Sequence, residues 1–261
     1  MKKNIILRFF LFILGISFAQ TQQIYIAGLD GDDAVYWLNG RRIVLQKSSE
    51  FAGIDAITVS GSNIYAVGYD GDDAVYWLNG RRILLPSTRG NEAFASGIAI
   101  SSSNIYIVGQ DGVDAVYWLN GNRTILPKTG REAVALGITV SGSDIYIIGR
   151  DGTDAVYWLN GRRTVLPKIS THAIAMTIVV SGSNVYIVGG DGDNAVYWIN
   201  ENRTLLTSMG HQTEAAGIAI SGSNIYIVGV DGYDAVYWLN GRRNLLSSTD
   251  DAFAGTIFIA P

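Results

Sequence analysis

Apolar and polar positions along this chain fall into short runs, and the runs recur as a set. In the second set, Ile64-Tyr65-Ala66-Val67 is β-branched and aromatic, and residues 74–78 read AVYWL. Ile83-Leu84-Leu85 is a third run, ended by Pro86, and Ile98-Ala99-Ile100 is a fourth. Runs of strand formers bounded by Gly, Asn, Ser and Pro predict β-strands. Asn79-Gly80 predicts a type I′ hairpin, because both central positions need positive φ. An SGSN stretch turns the chain again before the next IYIVG. Each set thus predicts a four-stranded antiparallel meander.

Six sets fill the chain. The phrase GLDGDDAVYWLNGRR at residues 28–42 returns five more times with small changes, and the tryptophans fall at 37, 77, 118, 158, 198 and 238, spaced 40, 41, 40, 40 and 40 apart. Alternation in AVYWL puts Ala, Tyr and Leu on one face and Val and Trp on the other. Both faces carry large apolar groups, so each must meet a neighbour. Radial stacking into a closed six-bladed β-propeller meets that need. A parallel β-helix has no use for two tight hairpins per repeat, and an open row of blades leaves an apolar face bare at each end. Residues 24–26 (IYI) match the second strand of a set, and residues 253–259 (FAGTIFI) match the strand before it. The expectation is therefore an all-β ring of four-stranded blades, closed by the C-terminal strand completing the first blade.

The repeat resembles bacterial secreted β-propeller proteins of the kelch and WD40 size class, in architecture only. The Gly-His and Trp-Asp pairs of WD40 blades and the Ser-x-Asp-x-Gly-x-Thr-Trp box are missing, and the kelch glycine doublet does not mark the blades. The resemblance implies the fold and transfers no activity.

The N-terminus changes the picture of location. Lys2 and Lys3 precede an apolar run, and Ser17-Phe18-Ala19 supplies small residues at the −3 and −1 positions of a cleavage site, the grammar of a signal peptide. The uninterrupted stretch from Phe9 to Ala19 is short for a membrane anchor. Residues 1–19 are thus read as a signal peptide and 20–261 as one propeller domain. The product is expected to be secreted, to the periplasm or beyond, and monomeric. The sequence has no cysteine, so its stability must come from a core. Without the leader's three basic residues, 16 basic and 23 acidic side chains remain, a net charge of −7. This gives no reason to expect a nucleic-acid partner.

Fourteen aspartates sit in the six DGxD loops and ten arginines at the NGRR-type turns. These two places lie at opposite ends of an antiparallel blade, which predicts one acidic and one basic face. The first aspartates, Asp30, Asp70, Asp111, Asp151, Asp191 and Asp231, are candidate ligands of a structural calcium, since hard cations favour carboxylate oxygen. The alternative is an Asx turn, in which the aspartate accepts backbone N–H bonds and Gly supplies the permissive φ. The repeated Trp and Tyr residues occupy strand positions and are expected in the core rather than in a sugar site.

A ligand site in a repetitive scaffold is better sought where the copies disagree. The residue before DG is Leu29, Tyr69, Gln110, Arg150, Gly190 and Val230, and the residue after it is Asp32, Asp72, Val113, Thr153, Asp193 and Tyr233. The connections into the next inner strand vary too, and bring Glu92, Arg131, Glu132, His172 and His211 to the same end. Tyr69, Gln110, Arg150, Tyr233, Arg131, His172 and His211 are therefore the candidate ligand-binding residues, on a surface around the axial opening. No catalytic residue is assigned: two histidines cannot form a three-histidine metal site, and no serine sits in a G-x-S-x-G elbow. The reading is a secreted scaffold that binds a protein or glycan through this face. A calcium-dependent or carboxylate-based hydrolase and a purely structural surface protein are the alternatives.

Overall fold

The computed structural model describes residues 23–210, 212–248, 252–255, 257 and 259. The expected signal peptide and His211 lie outside them. The first sheet has three antiparallel strands, β1 Tyr25–Asp30, β2 Asp33–Leu38 and β3 Arg41–Val44. The second has four, β4 Ala52–Ser60, β5 Asn63–Asp70, β6 Asp73–Leu78 and β7 Arg81–Leu84, in that spatial order. The third to sixth sheets repeat the second, with inner strands Ala93–Ser101, Ala133–Ser141, Ala173–Ser181 and Thr213–Ser221. The result is six antiparallel sheets arranged like propeller blades.

The local chemistry is as the sequence predicts. Asn79 and Gly80 take φ of 52° and 83° at the hairpin, and the Asn79 carboxamide oxygen accepts the Ile64 N–H at 2.9 Å. The same pair recurs from Ile24–Asn39 to Ile225–Asn240. Each Asn therefore both makes its turn and holds the start of the neighbouring strand.

Packing follows the alternation. Ala34, Tyr36 and Leu45 of the first sheet enclose Ala52, Ala66, Val75 and Trp77 of the second. The second sheet's other face, Val67, Ala74 and Leu85, then encloses Val116 and Trp118 of the third. The indole N–H of Trp77 donates to the Gln46 carbonyl at 2.6 Å, and Trp118, Trp158, Trp198 and Trp238 make the equivalent bond to the preceding connection. Each indole thus contributes buried area and satisfies its one donor.

Closure of the ring is the expectation that fails. Among the described residues there are five buried clusters, one at each junction between consecutive sheets, and none joining the sixth sheet to the first. The first sheet has no fourth strand, and residues 252–255 form no strand. Leu246 makes the point at one residue. Its counterparts Leu45, Leu85, Leu126, Leu166 and Leu206 are at most 3 % exposed, whereas Leu246 is 55 % exposed. The outer strand of the last sheet, Arg242–Ser248, runs on beside its neighbour, pairing Ala235 with Ser247 and Asp234 with Ser248. In the other units the chain leaves the ladder soon after that leucine's predecessor, drawn off by the inner strand of a following sheet. The likeness of residues 253–259 to an inner strand reflects strand propensity, and propensity does not specify a partner.

Candidate functional site

Every inner strand carries a β-bulge at the same place. Pairing of β4 with β5 shifts register between Ile54 and Ala56, leaving Asp55 as the extra residue. The equivalent residues are Ser96, Leu136, Met176 and Ala216. Bulges bend a strand and re-aim a side chain. They also explain the glycine that precedes the variable position in the second to sixth units: a Cβ on Gly68 would lie 2.0 Å from the Gly53 carbonyl oxygen. Gly109, Gly149, Gly189 and Gly229 face the same close approach.

The bulge residues converge on a cavity of about 610 Å3. Asp55, Ser96, Leu136 and Met176 line it from four successive inner strands, with Phe51, Tyr69, Phe94 and the rim carboxylates Asp72 and Glu92. The Phe51 and Tyr69 rings lie 5.6 Å apart, tilted by 41°. Tyr69 can fold over the strand because its cross-strand partner is Gly53, whose absent side chain leaves the ring its space. Ser96 Oγ donates to the Ala135 carbonyl at 2.5 Å, tying neighbouring inner strands together at the funnel.

Asp55 is the unusual group in this lining. Its side chain reaches the water of the opening, yet the funnel walls crowd it. Desolvation pushes its carboxyl up to about 6, with no opposing hydrogen bond or ion pair. Burial, and then the charge of Asp55, push the Tyr69 phenol up as well.

The DGxD aspartates have a different setting. Asp70 accepts the Ser48 and Ser49 N–H groups at 2.8 and 3.0 Å, is bonded by both hydroxyls, and ion-pairs with Arg82. Burial pushes its carboxyl up, but the hydrogen bonds from Ser49 and Ser48 prevail and hold it well below the usual carboxylate range. Asp111, Asp151, Asp191 and Asp231 repeat the pairing with Arg123, Arg163, Arg203 and Arg243. These carboxylates join each connection to the next sheet through N–H donors and a guanidinium. A cation there would have to displace the arginine. Asp30 pairs with Arg42 in the open, its side chain 53 % exposed. Among the described residues no group of three or more His, Cys, Asp or Glu side chains is placed to hold a metal.

The expected faces of opposite sign are also corrected. The second arginine of each turn lies across the ladder from the tryptophan, as Arg82 does from Trp77. Its long stem runs back along the strand and spends the charge on the DGxD aspartates. Arg41, Arg81, Arg162 and Arg242 remain exposed.

The candidate binding residues divide. Tyr69 lines the cavity. Gln110 and Arg150 meet at Glu132, with Gln110 Nε2 at 3.1 Å and Arg150 Nη2 at 3.7 Å from its carboxylate. Each also donates to a glycine carbonyl of its own loop. His172 lines a separate cavity of about 150 Å3 with Met176 and Glu214. Arg131 is exposed, and its carbonyl accepts Lys128 Nζ at 3.1 Å. Tyr233 stands 78 % exposed. The sequence reading missed the bulge residues. Variation alone does not single them out: the bulge column reads Asp, Ser, Leu, Met and Ala, but the second position of the same strands varies as fully, as Gly53, Phe94, Val134, Ile174 and Glu214.

The fold and site define an all-β repeat scaffold of propeller-like blades with an apolar funnel. No family model matches the chain, and no curated protein matches it. Among solved structures it is similar to the crystal structure of the computationally designed Ika8 protein, with a TM-score of 0.50 at 14 % identity over 82 % of this chain and 70 % of that one. This likeness concerns fold alone. Among the described residues no helix is long and apolar enough to cross a membrane.

Proposed function

We propose that this protein is a non-catalytic binding module that takes a small, largely apolar ligand into the funnel where the inner strands bulge. One observation carries the reading: the bulge residue differs in each of the five described inner strands, and four of these side chains line one cavity. A cavity of about 610 Å3 falls in the range of small-ligand sites, which are mostly apolar with a few placed polar groups. The aromatic and aliphatic lining favours such a ligand over a glycan. Catalysis by a carboxyl pair needs two acids in contrasting environments. Here the funnel walls crowd Asp55, but its side chain, like those of Asp72 and Glu92, is open to water.

The test is nuclear magnetic resonance of the purified chain, observing the Met176 and Leu136 methyl groups. A panel of neutral sugars, short peptides and small apolar compounds is added in turn. At least one apolar class is expected to move both methyl signals in a saturable way. Failure of every class, with the protein folded, would remove the binding reading.

A further inference from the structure

We infer that the funnel selects a small organic ammonium, its positive nitrogen at Asp55 and its apolar stem against Phe51, Tyr69, Phe94, Leu136 and Met176. This rests on the binding reading above and names the chemistry of the ligand.

The charges at the cavity are of one sign. Asp55, Asp72 and Glu92 line it, and no lysine or arginine does so. Arg150, the one cation among the residues that precede DG, is engaged with Gly152 and Glu132. A desolvated carboxylate without a donor is unfavourable, and a cation brought by a ligand would relieve that cost. Among the described residues no donor reaches the Asp55 carboxyl. The other titratable groups lining the cavity are Tyr69, Asp72 and Glu92, and none of them supplies positive charge.

The walls fit the same ligand. Phe51 and Tyr69 offer two tilted rings and Phe94 a third, and aromatic faces attract ammonium groups through the ring quadrupole. Leu136 and Met176 supply flexible apolar surface for a stem. Among the described residues the three carboxylates are not grouped closely enough to share a bare divalent ion, which needs six or more oxygens. An anion would meet three carboxylates.

Calorimetry on the purified chain at pH 7.5 separates the possibilities with three probes, hexyltrimethylammonium, 1-hexanol and hexanoate. Hexyltrimethylammonium should bind about tenfold more tightly than hexanol, combining a cation–π and a charge contribution, and hexanoate should give no binding. Asp55→Asn should remove the charge part of that margin, weakening the ammonium to within a few-fold of hexanol, and leave hexanol unchanged. Met176→Lys, which tethers an ammonium in the funnel, should abolish hexyltrimethylammonium binding and serves as the second variant if D55N does not fold. Equal binding of hexanol and hexyltrimethylammonium would overturn the ammonium inference while leaving the binding reading intact. Silence from all three probes, with unmoved Met176 and Leu136 methyl signals, would bring down both. Tighter binding of a lysine-containing pentapeptide than of the free ammonium would reassign the occupant to a protein side chain.

Discussion

The first and second sheets are built from nearly the same sentence, GLDGDDAVYWLNGRR and GYDGDDAVYWLNGRR, and they end in different physical states. Trp77 is fully buried and bonded to the preceding connection, whereas Trp37 is only partly buried. Asp70 is enclosed by Ser48, Ser49 and Arg82, while Asp30 shares Arg42 with solvent. Among the described residues the second sheet has a predecessor and the first has none. Much of what a repeat contributes is therefore stored in its junctions, as expected of stacked units whose stability is a sum of unit and nearest-neighbour terms.

The sharpest way to break this comparison is to truncate the two tryptophans. Trp77→Ala removes a fully buried ring and its hydrogen bond, and should destabilise by about 3 to 5 kcal/mol. Trp37→Ala should cost about 1 kcal/mol. Urea unfolding of both variants reads the difference directly. Equal losses would mean that the first sheet is as well covered as the second, and the contrast between end and interior would collapse.

The aspartates sharpen it further through pH. Asp70→Asn leaves Arg82 and the serine donors without their carboxylate and should cost about 3 kcal/mol at neutral pH. Asp30→Asn should cost about 0.5 kcal/mol, as for an exposed pair. Asp70, Asp151 and Asp191 all titrate lower in the folded chain than in the unfolded one. Their stabilisation is present above the unfolded value near 4 and is lost as pH falls through the lower folded value. D70N should therefore lose stability at neutral pH and show a shallower acid limb than the parent. Asp55 has the opposite sign: its raised carboxyl makes folding less favourable as pH rises from about 4 through about 6. Parallel pH–stability curves for the parent and D70N would refute the role given to the aspartate cradle.

Most of the fold was legible because its signals are local. Asn-Gly fixes a turn within two residues, and AVYWL fixes two faces within five. The DGxD aspartate was half legible: an N–H acceptor was foreseeable, but its arginine lies twelve residues on, at what simple alternation makes the far end of the blade. The bulge was not legible, since one extra residue leaves no mark on a strand this short, and Asp55 went with it. Closure was misread for a related reason. A strand-like segment such as residues 253–259 says nothing about which edge it meets.

The smallest expected effect concerns the one turn that breaks the Asn-Gly rule. In the fifth sheet Asn200 is followed by Glu201, which holds φ of 69° where the other five hairpins place glycine. A side chain in this left-handed region costs about 1 kcal/mol. Against it, Glu201 Oε1 accepts the Tyr157 hydroxyl at 2.6 Å across the junction between the fourth and fifth sheets. That bond is exposed and contributes about 0.5 kcal/mol. Relief of strain therefore wins, and Glu201→Gly should stabilise by about 0.5 kcal/mol. Tyr157→Phe removes the bond and keeps the strain, so it should destabilise by a similar amount. In the Tyr157→Phe background the gain from Glu201→Gly should rise to the full strain value. A loss of stability in E201G that disappears in that background would show the junction bond, rather than the turn, to be the stronger constraint, extending to the surface the dominance of junctions over units.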